Sequence, residues 1–195
     1  MASPRTKNPV PQWIQNRYPH VEHVLISFPR KHILLIVINR PERVKCLPIG
    51  SIIDLTALWK WYDLEPELRC AVLTGAGSKS FSTGMDLKER LDIIQSNGVP
   101  YEYPSGGFTG FSKRAGRKPI NVACNGYAHG DGFEAILNED VTFASPNAKF
   151  CLPEVLRGLS ALAGALPRSM LLFGNHWTME LVLTGRIMSV EEAHI

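Results

Sequence analysis

Two stretches of this chain share one physical form, in which a strand ends, a glycine-bearing turn follows and a helix begins. One is Phe81-Ser82-Thr83-Gly84-Met85-Asp86 and the other is His129-Gly130-Asp131-Gly132-Phe133-Glu134. The start of a helix presents backbone N–H groups with no intrahelical acceptor and carries a partial positive charge. Both suit an oxygen that gains negative charge during a reaction. Two such starts converging on one point would form an oxyanion hole, although the same pattern also serves as an ordinary turn. Other candidates fail on spacing. Gly75-Ala76-Gly77-Ser78-Lys79-Ser80 lacks the four-residue gap of a phosphate loop, and Ser160, in Gly158-Leu159-Ser160-Ala161-Leu162, lacks the second glycine of a nucleophile elbow. Cys46 and Cys151 have no base nearby in sequence and read as inert thiols, while His20 and His23 read as surface histidines.

The elements that must position these turns follow from hydrophobic period. Residues 21–28 and 32–38 read as two strands joined by a turn at Pro29-Arg30-Lys31, the second a continuous apolar run as in a buried strand. From Ser51 onward, Ile52, Leu55, Leu58, Trp59 and Tyr62 recur at steps of three and four, giving a helix with one buried face. Further strands are expected at 69–74, 119–124 and 141–144, and helices after Asp86, at 133–138, around 162–173 and at 178–184. Residues 97–110 are rich in glycine without either period and read as a mobile surface loop, and 125–132 read as a glycine-rich turn. Strands alternating with helices predict an α/β fold with largely parallel pairing.

Composition narrows the function classes. With 195 residues, 45% hydrophobic and 20% charged, the chain suits one domain with a substantial core. The net charge of +3 is scattered, which argues against nucleic acid as a partner. Its four cysteines form no CxxC pair, so no metal site or redox dithiol is expected. The longest apolar run, 33–38, is far shorter than the roughly 20 residues of a membrane span, so no membrane partner is expected. Residues 1–20 read as a flexible arm ahead of a core domain at 21–195.

Five blocks then resemble the enoyl-CoA hydratase/isomerase (crotonase) superfamily. They are Arg40-Pro41-Glu42-Arg43; the stretch from Leu73-Thr74-Gly75 to Leu87-Lys88-Glu89; Lys118-Pro119-Ile120 to Asn125-Gly126-Tyr127-Ala128; Ala144-Ser145-Pro146 to Leu152-Pro153-Glu154-Val155; and Leu183-Thr184-Gly185-Arg186. The resemblance implies a crotonase-like spiral of ββα units, a CoA thioester as substrate and no separate cofactor or metal. It assigns the oxyanion-hole donors to the backbone N–H groups of Met85 and Asp131, and the hydratase carboxylates to Glu134 and Glu154, twenty residues apart. Thr83, Gly84, Asp86, Gly130 and Gly132 flank these positions and would contact substrate, with Arg43 and Lys45 near the CoA phosphates. Having both acids points to hydration of a trans-2-enoyl-CoA, in β-oxidation or in specialised fungal acyl-chain synthesis. The alternatives are double-bond isomerisation, or a silent acyl-CoA-binding subunit. The family's trimers and hexamers imply a homo-oligomer or a mixed one.

The sequence also departs from the family pattern. Asp131 stands where relatives usually have glycine, so its carboxylate is expected near the developing enolate, with His129 beside it as a partial offset. The turn after Glu154, from Gly158 to Arg168, differs from the glycine-rich, proline-containing turn of relatives. The family's C-terminal helices have no counterpart after Ala193-His194, which would expose an apolar surface unless oligomerisation covers it. The tripeptide Ala193-His194-Ile195 resembles a loose peroxisomal signal, or ordinary family sequence.

Overall fold

The computed structural model describes residues 10–98 and 102–193. Its strands are β1 (Val24–Arg30), β2 (Ile33–Ile38), β3 (Cys70–Gly75), β4 (Ser80–Ser82), β5 (Ile120–Cys124), β6 (Tyr127–His129), β7 (Val141–Ala144), β8 (Lys149–Cys151) and β9 (Ile187–Ser189). The helices are α1 (Ile49–Leu64), α2 (Leu87–Asn97), α3 (Asp131–Ile136), α4 (Ala165–Thr184) and α5 (Val190–Ala193), with 3-10 turns at Pro41–Arg43, Phe108–Gly110 and Pro153–Arg157.

From β3 to β8 successive strands alternate between two sheets. One is ordered β1-β2-β3-β5-β7 and the other β4-β6-β8-β9. All pairs are parallel except β1 with β2 and β8 with β9. The chain therefore lays one strand in each sheet per turn, the expected α/β spiral of ββα units. The centre of the larger sheet is apolar because β2 alternates: Leu34, Ile36 and Ile38 are fully buried. Helix α1 covers that core with Ile52, Leu55, Leu58, Trp59 and Tyr62, the face that the spacing predicts. It starts at Ile49, two residues earlier than expected, where the free Ile49 N–H is capped by Glu89 Oε2 at 2.8 Å.

Several local expectations need correction. Strand β1 continues through Pro29 and Arg30, and the reversal falls at Lys31-His32. Proline is tolerated there because β1 is an edge strand with irregular register between Ser27 and Arg30. The end of the expected mobile loop is core: Phe108 and Phe111 are buried, and Trp59 Nε1 donates to the Thr109 carbonyl at 2.9 Å. The 125–132 stretch holds β6, too short to show a period. Helix α3 begins at Asp131 rather than Phe133. Helix α4 is broken at Gly174 (φ 77°, ψ 173°), which separates the two helical stretches read from sequence.

Of the expected arm, residues 1–9 lie outside the described residues. Residues further on are anchored: Trp13 meets Phe28 edge-on at 5.7 Å, and the Gln15 and Asn16 N–H groups donate to the buried Glu65 carboxylate. Leu171 and Leu172 on α4 and Phe143 on the edge strand β7 are exposed. Among the described residues no helix is long and apolar enough to cross a membrane. His194 and Ile195, two residues of the expected targeting tripeptide, lie outside the described residues.

Candidate active site

The first turn is fixed from both sides. Leu47 N–H donates to the Gly84 carbonyl and Asp86 N–H to the Leu47 carbonyl, each at 2.9 Å. These bonds hold Gly84 at φ +88° and leave the Met85 N–H between them facing a cavity of about 430 Å³. The second turn leaves β6, passes Gly130 at φ +57° and opens α3 at Asp131, whose N–H has no intrahelical acceptor. The two turns touch. A side chain on Gly84 would lie 3.1 Å from Asp131 N, and one on Gly132 would collide with the Ser82 carbonyl. Glycine is therefore needed at both places for β4 and α3 to approach.

Glu134 projects from α3 and Glu154 from the Pro153–Arg157 turn that follows β8. Carboxylate oxygens of Asp131, Glu134 and Glu154 lie within 4.8 Å of one another. Glu134 is fully buried, and its Oε2 accepts the first N–H of α4, from Ala165, at 2.7 Å. Glu134 Oε1 and Glu154 Oε2 have no hydrogen-bond partner among the described residues. Both oxygens are buried, with lone pairs that no described protein group satisfies.

Burial pushes the Glu134 carboxyl up to about 8, with the Asp131 charge adding to it and the Ala165 N–H opposing it. Burial likewise pushes Glu154 up to about 7, with Asp131 again raising it and Arg90 lowering it. Near neutral pH the cluster therefore holds protons as well as charge, the condition for one acid and one base side by side. The same spacing would suit a divalent cation; the upward shifts describe a site that takes up protons.

The expected oxyanion hole is altered by its own second residue. Asp131 Oδ2 accepts the Met85 N–H at 3.1 Å and the Tyr103 O–H at 2.8 Å, so the N–H expected as the first oxyanion donor is already engaged by a carboxylate. Burial raises the pKa of Asp131, against the hydrogen bonds from Tyr103 and Met85 and the charge of Arg90. His129 is not the offsetting charge: burial lowers its pKa, which leaves it neutral, and it packs on Tyr127 with ring centroids 5.4 Å apart. Arg90 takes that role.

The remaining expected contacts divide. Thr83 and Gly130 line the cavity with Met85, Asp131 and Glu154. A side chain on Gly130 would stand 2.9 Å from Glu154 Oε1, so glycine keeps that carboxyl in place. Asp86 is structural, because its Oδ2 pairs with Arg40 Nη1 at 2.9 Å and its Oδ1 accepts Lys88 N–H as the cap of α2. Lys45 is 3% exposed, with burial lowering its pKa, so it does not offer an ammonium to solvent; Arg43 is exposed. Sequence reading missed Tyr103, Arg90, Lys113 and Arg157, which all line the cavity. Tyr103 stood in the stretch read as loop, where no period marks it. Arg90 lies four residues after Asp86, one turn into α2, a spacing that could have placed it on the face beside the first turn.

The chain belongs to the enoyl-CoA hydratase/isomerase family, whose model matches residues 29–195. Among individual proteins, it is 42% identical to the mevalonyl-coenzyme A hydratase sidH of Aspergillus fumigatus over 175 residues, covering 90% of this chain and 64% of that protein. It is 44% identical to the mevalonyl-coenzyme A hydratase SIDH of Beauveria bassiana, covering 89% of this chain and 64% of that one. The crystal structure of an enoyl-CoA hydratase from Mycobacterium tuberculosis superposes with a TM-score of 0.77 at 34% identity, over 88% of this chain and 65% of that one. The chain thus spans slightly under two thirds of the length of each.

Proposed function

We propose that this protein is a lyase that adds water reversibly across the double bond of a trans-2-enoyl-CoA. The observation that carries the reading is that Met85 and Glu154 line one cavity, and that the buried Glu134 brings a carboxylate oxygen within 4.8 Å of those of Glu154 and Asp131. Polarising the thioester carbonyl makes the β-carbon electrophilic, and N–H donors stabilise the charge that moves onto the carbonyl oxygen. Burial raises both carboxyls, Glu134 more than Glu154, so the reactive state is the one in which the proton shared by the pair sits on Glu154. Glu134, whose ionised form the Ala165 N–H favours, then removes one proton from a water whose oxygen bonds to the β-carbon. The double-bond electrons pass into the enolate, and the α-carbon then takes the proton of neutral Glu154. Glu134 ends protonated and Glu154 ionised, and a proton passed through the next water resets the pair.

The names of the two fungal relatives support an acyl chain from specialised metabolism, with mevalonyl-CoA dehydrated in the reverse direction, ahead of a linear fatty acyl chain. The test is purified protein with crotonyl-CoA and, separately, mevalonyl-CoA. Loss of the conjugated thioester absorbance with the first, or its gain with the second, is expected. Absence of both changes contradicts the proposal.

A second reading, a silent acyl-CoA-binding subunit, is favoured by the Asp131 carboxylate, which already accepts the Met85 N–H. It predicts retained CoA-thioester binding with no change in absorbance.

A further inference from the structure

Asp131 brings a carboxyl group to the Met85 N–H, the expected first oxyanion donor, and its surroundings decide what it can do there. Tyr103 faces it from the segment before the Phe108–Gly110 turn, Arg90 from α2, Glu134 from its own helix and Glu154 from the Pro153–Arg157 turn. Glu102, Lys113 and Arg157 rim the same cavity. Three carboxyl groups within 4.8 Å of one another, Glu134 buried and the other two partly so, oppose ionisation of all three at once. Protons are therefore held within the cluster; the two donors on Asp131 Oδ2 favour its ionised form but fix the carboxyl at the Met85 N–H, while crowding by Glu134 and Glu154 favours a proton on its other oxygen. A carboxylic acid kept neutral by its surroundings can donate a hydrogen bond to a developing oxyanion.

We propose that the neutral Asp131 carboxyl, held in place by Tyr103, is itself an oxyanion donor, so that the hole is built from one backbone N–H, that of Met85, and one side-chain O–H. This rests on the hydratase reading. When the thioester enters, the Met85 N–H transfers its hydrogen bond from Asp131 Oδ2 to the carbonyl oxygen, and the Asp131 O–H donates to that same oxygen. No proton is transferred and no bond forms; the charge gathered on oxygen during attack is stabilised by a neutral donor. Asp131 is catalytic because it touches the reacting oxygen, and Tyr103 is a positioning residue that acts through it. An ionised Asp131 would repel the enolate, so the protein works only while Asp131 keeps its proton.

The test compares wild type with Asp131→Asn, Tyr103→Phe and Asp131→Gly, using crotonyl-CoA from pH 6 to 9, with far-ultraviolet circular dichroism to confirm folding. The amide introduced by Asp131→Asn is a neutral donor of nearly the same shape at every pH. The ratio of that variant's kcat/KM to that of wild type is therefore expected to climb about tenfold or more as pH rises, isolating the loss of the Asp131 proton from titrations common to both. Tyr103→Phe removes a hydrogen bond that favours the ionised form, so its alkaline limb moves to higher pH and kcat falls with little change in KM. A flat ratio with active wild type overturns the proposal and leaves the hydratase reading intact. So does an Asp131→Gly variant faster than wild type at every pH, which would make Asp131 an obstacle. If none of the four proteins turns over crotonyl-CoA or mevalonyl-CoA, both readings fail.

Discussion

The Ala165 N–H and the Glu134 carboxylate are joined at 2.7 Å, so the first donor of α4 caps itself on a member of the Asp131, Glu134 and Glu154 carboxyl cluster. Glu134→Gln keeps the shape and an acceptor for Ala165 but removes the base. Hydration is expected to fall about 10²–10⁴-fold, the range of a lost general base, with CoA-thioester binding retained. Steady-state kinetics with equilibrium binding checks this; a variant within a few fold of wild type would remove Glu134 from the chemistry.

Gly132 tests the contact between the two turns. A methyl group there meets the Ser82 carbonyl, and neither partner is a flexible side chain end. Gly132→Ala is expected to destabilise by about 1–3 kcal/mol through overpacking and to displace the Asp131 and Glu134 backbone relative to Met85. Denaturant unfolding with kinetics on the folded fraction should show lower stability together with lower kcat.

Asp86 and Arg40 form a mostly buried pair that anchors the first turn to the Pro41–Arg43 segment. Asp86→Ala leaves Arg40 without its carboxylate and α2 without its cap, so a loss of about 3 kcal/mol is expected. Burial alone would raise the Asp86 pKa, but the hydrogen bonds from Arg40 and Lys88 outweigh it and hold the carboxyl below its usual value. Its stabilisation is therefore complete above the ordinary aspartate range and is lost as pH falls through the lowered value. Urea unfolding at pH 7 and pH 3 should show the difference between wild type and Asp86→Ala shrinking in acid.

The alkaline side follows from the raised carboxyls. Burial pushes Glu139 up to about 9, and Glu134 and Glu154 to about 8 and about 7. A carboxyl with a raised folded pKa favours the fold while protonated. That contribution is full below the unfolded value and is lost as pH rises through the folded one. Thermal stability should fall between pH 5 and pH 9, and Glu139→Gln, which lies outside the cavity, should reduce the fall without reducing activity at pH 7. An equal fall in both proteins would show that Glu139 does not carry it.

How much of this was legible in the sequence depended on the kind of signal. The α1 face from Ile52 to Tyr62 and strand β2 follow from period, because a buried helix face and a buried strand each force a repeat. The two turns were visible through glycines that the backbone approach requires. Tyr103 and Arg90 were not read, because their meaning lies in contacts across the fold with Asp131. The Asp131 carboxylate was expected near the enolate, but its place on the Met85 N–H depends on the fixed gap between two turns. Lys45 was placed near the CoA phosphates from its neighbourhood in sequence alone, and only packing across the fold shows it buried.

The central claim is that water adds at this site. Crotonyl-CoA incubated with the protein in water enriched in oxygen-18, then analysed by mass spectrometry, tests it most directly. The account predicts 3-hydroxybutyryl-CoA carrying one heavy oxygen on the β-carbon, formed by wild type and lost in Glu134→Gln. Recovery of crotonyl-CoA with no labelled hydroxyacyl product, or of a product of unchanged mass with a shifted double bond, would contradict it.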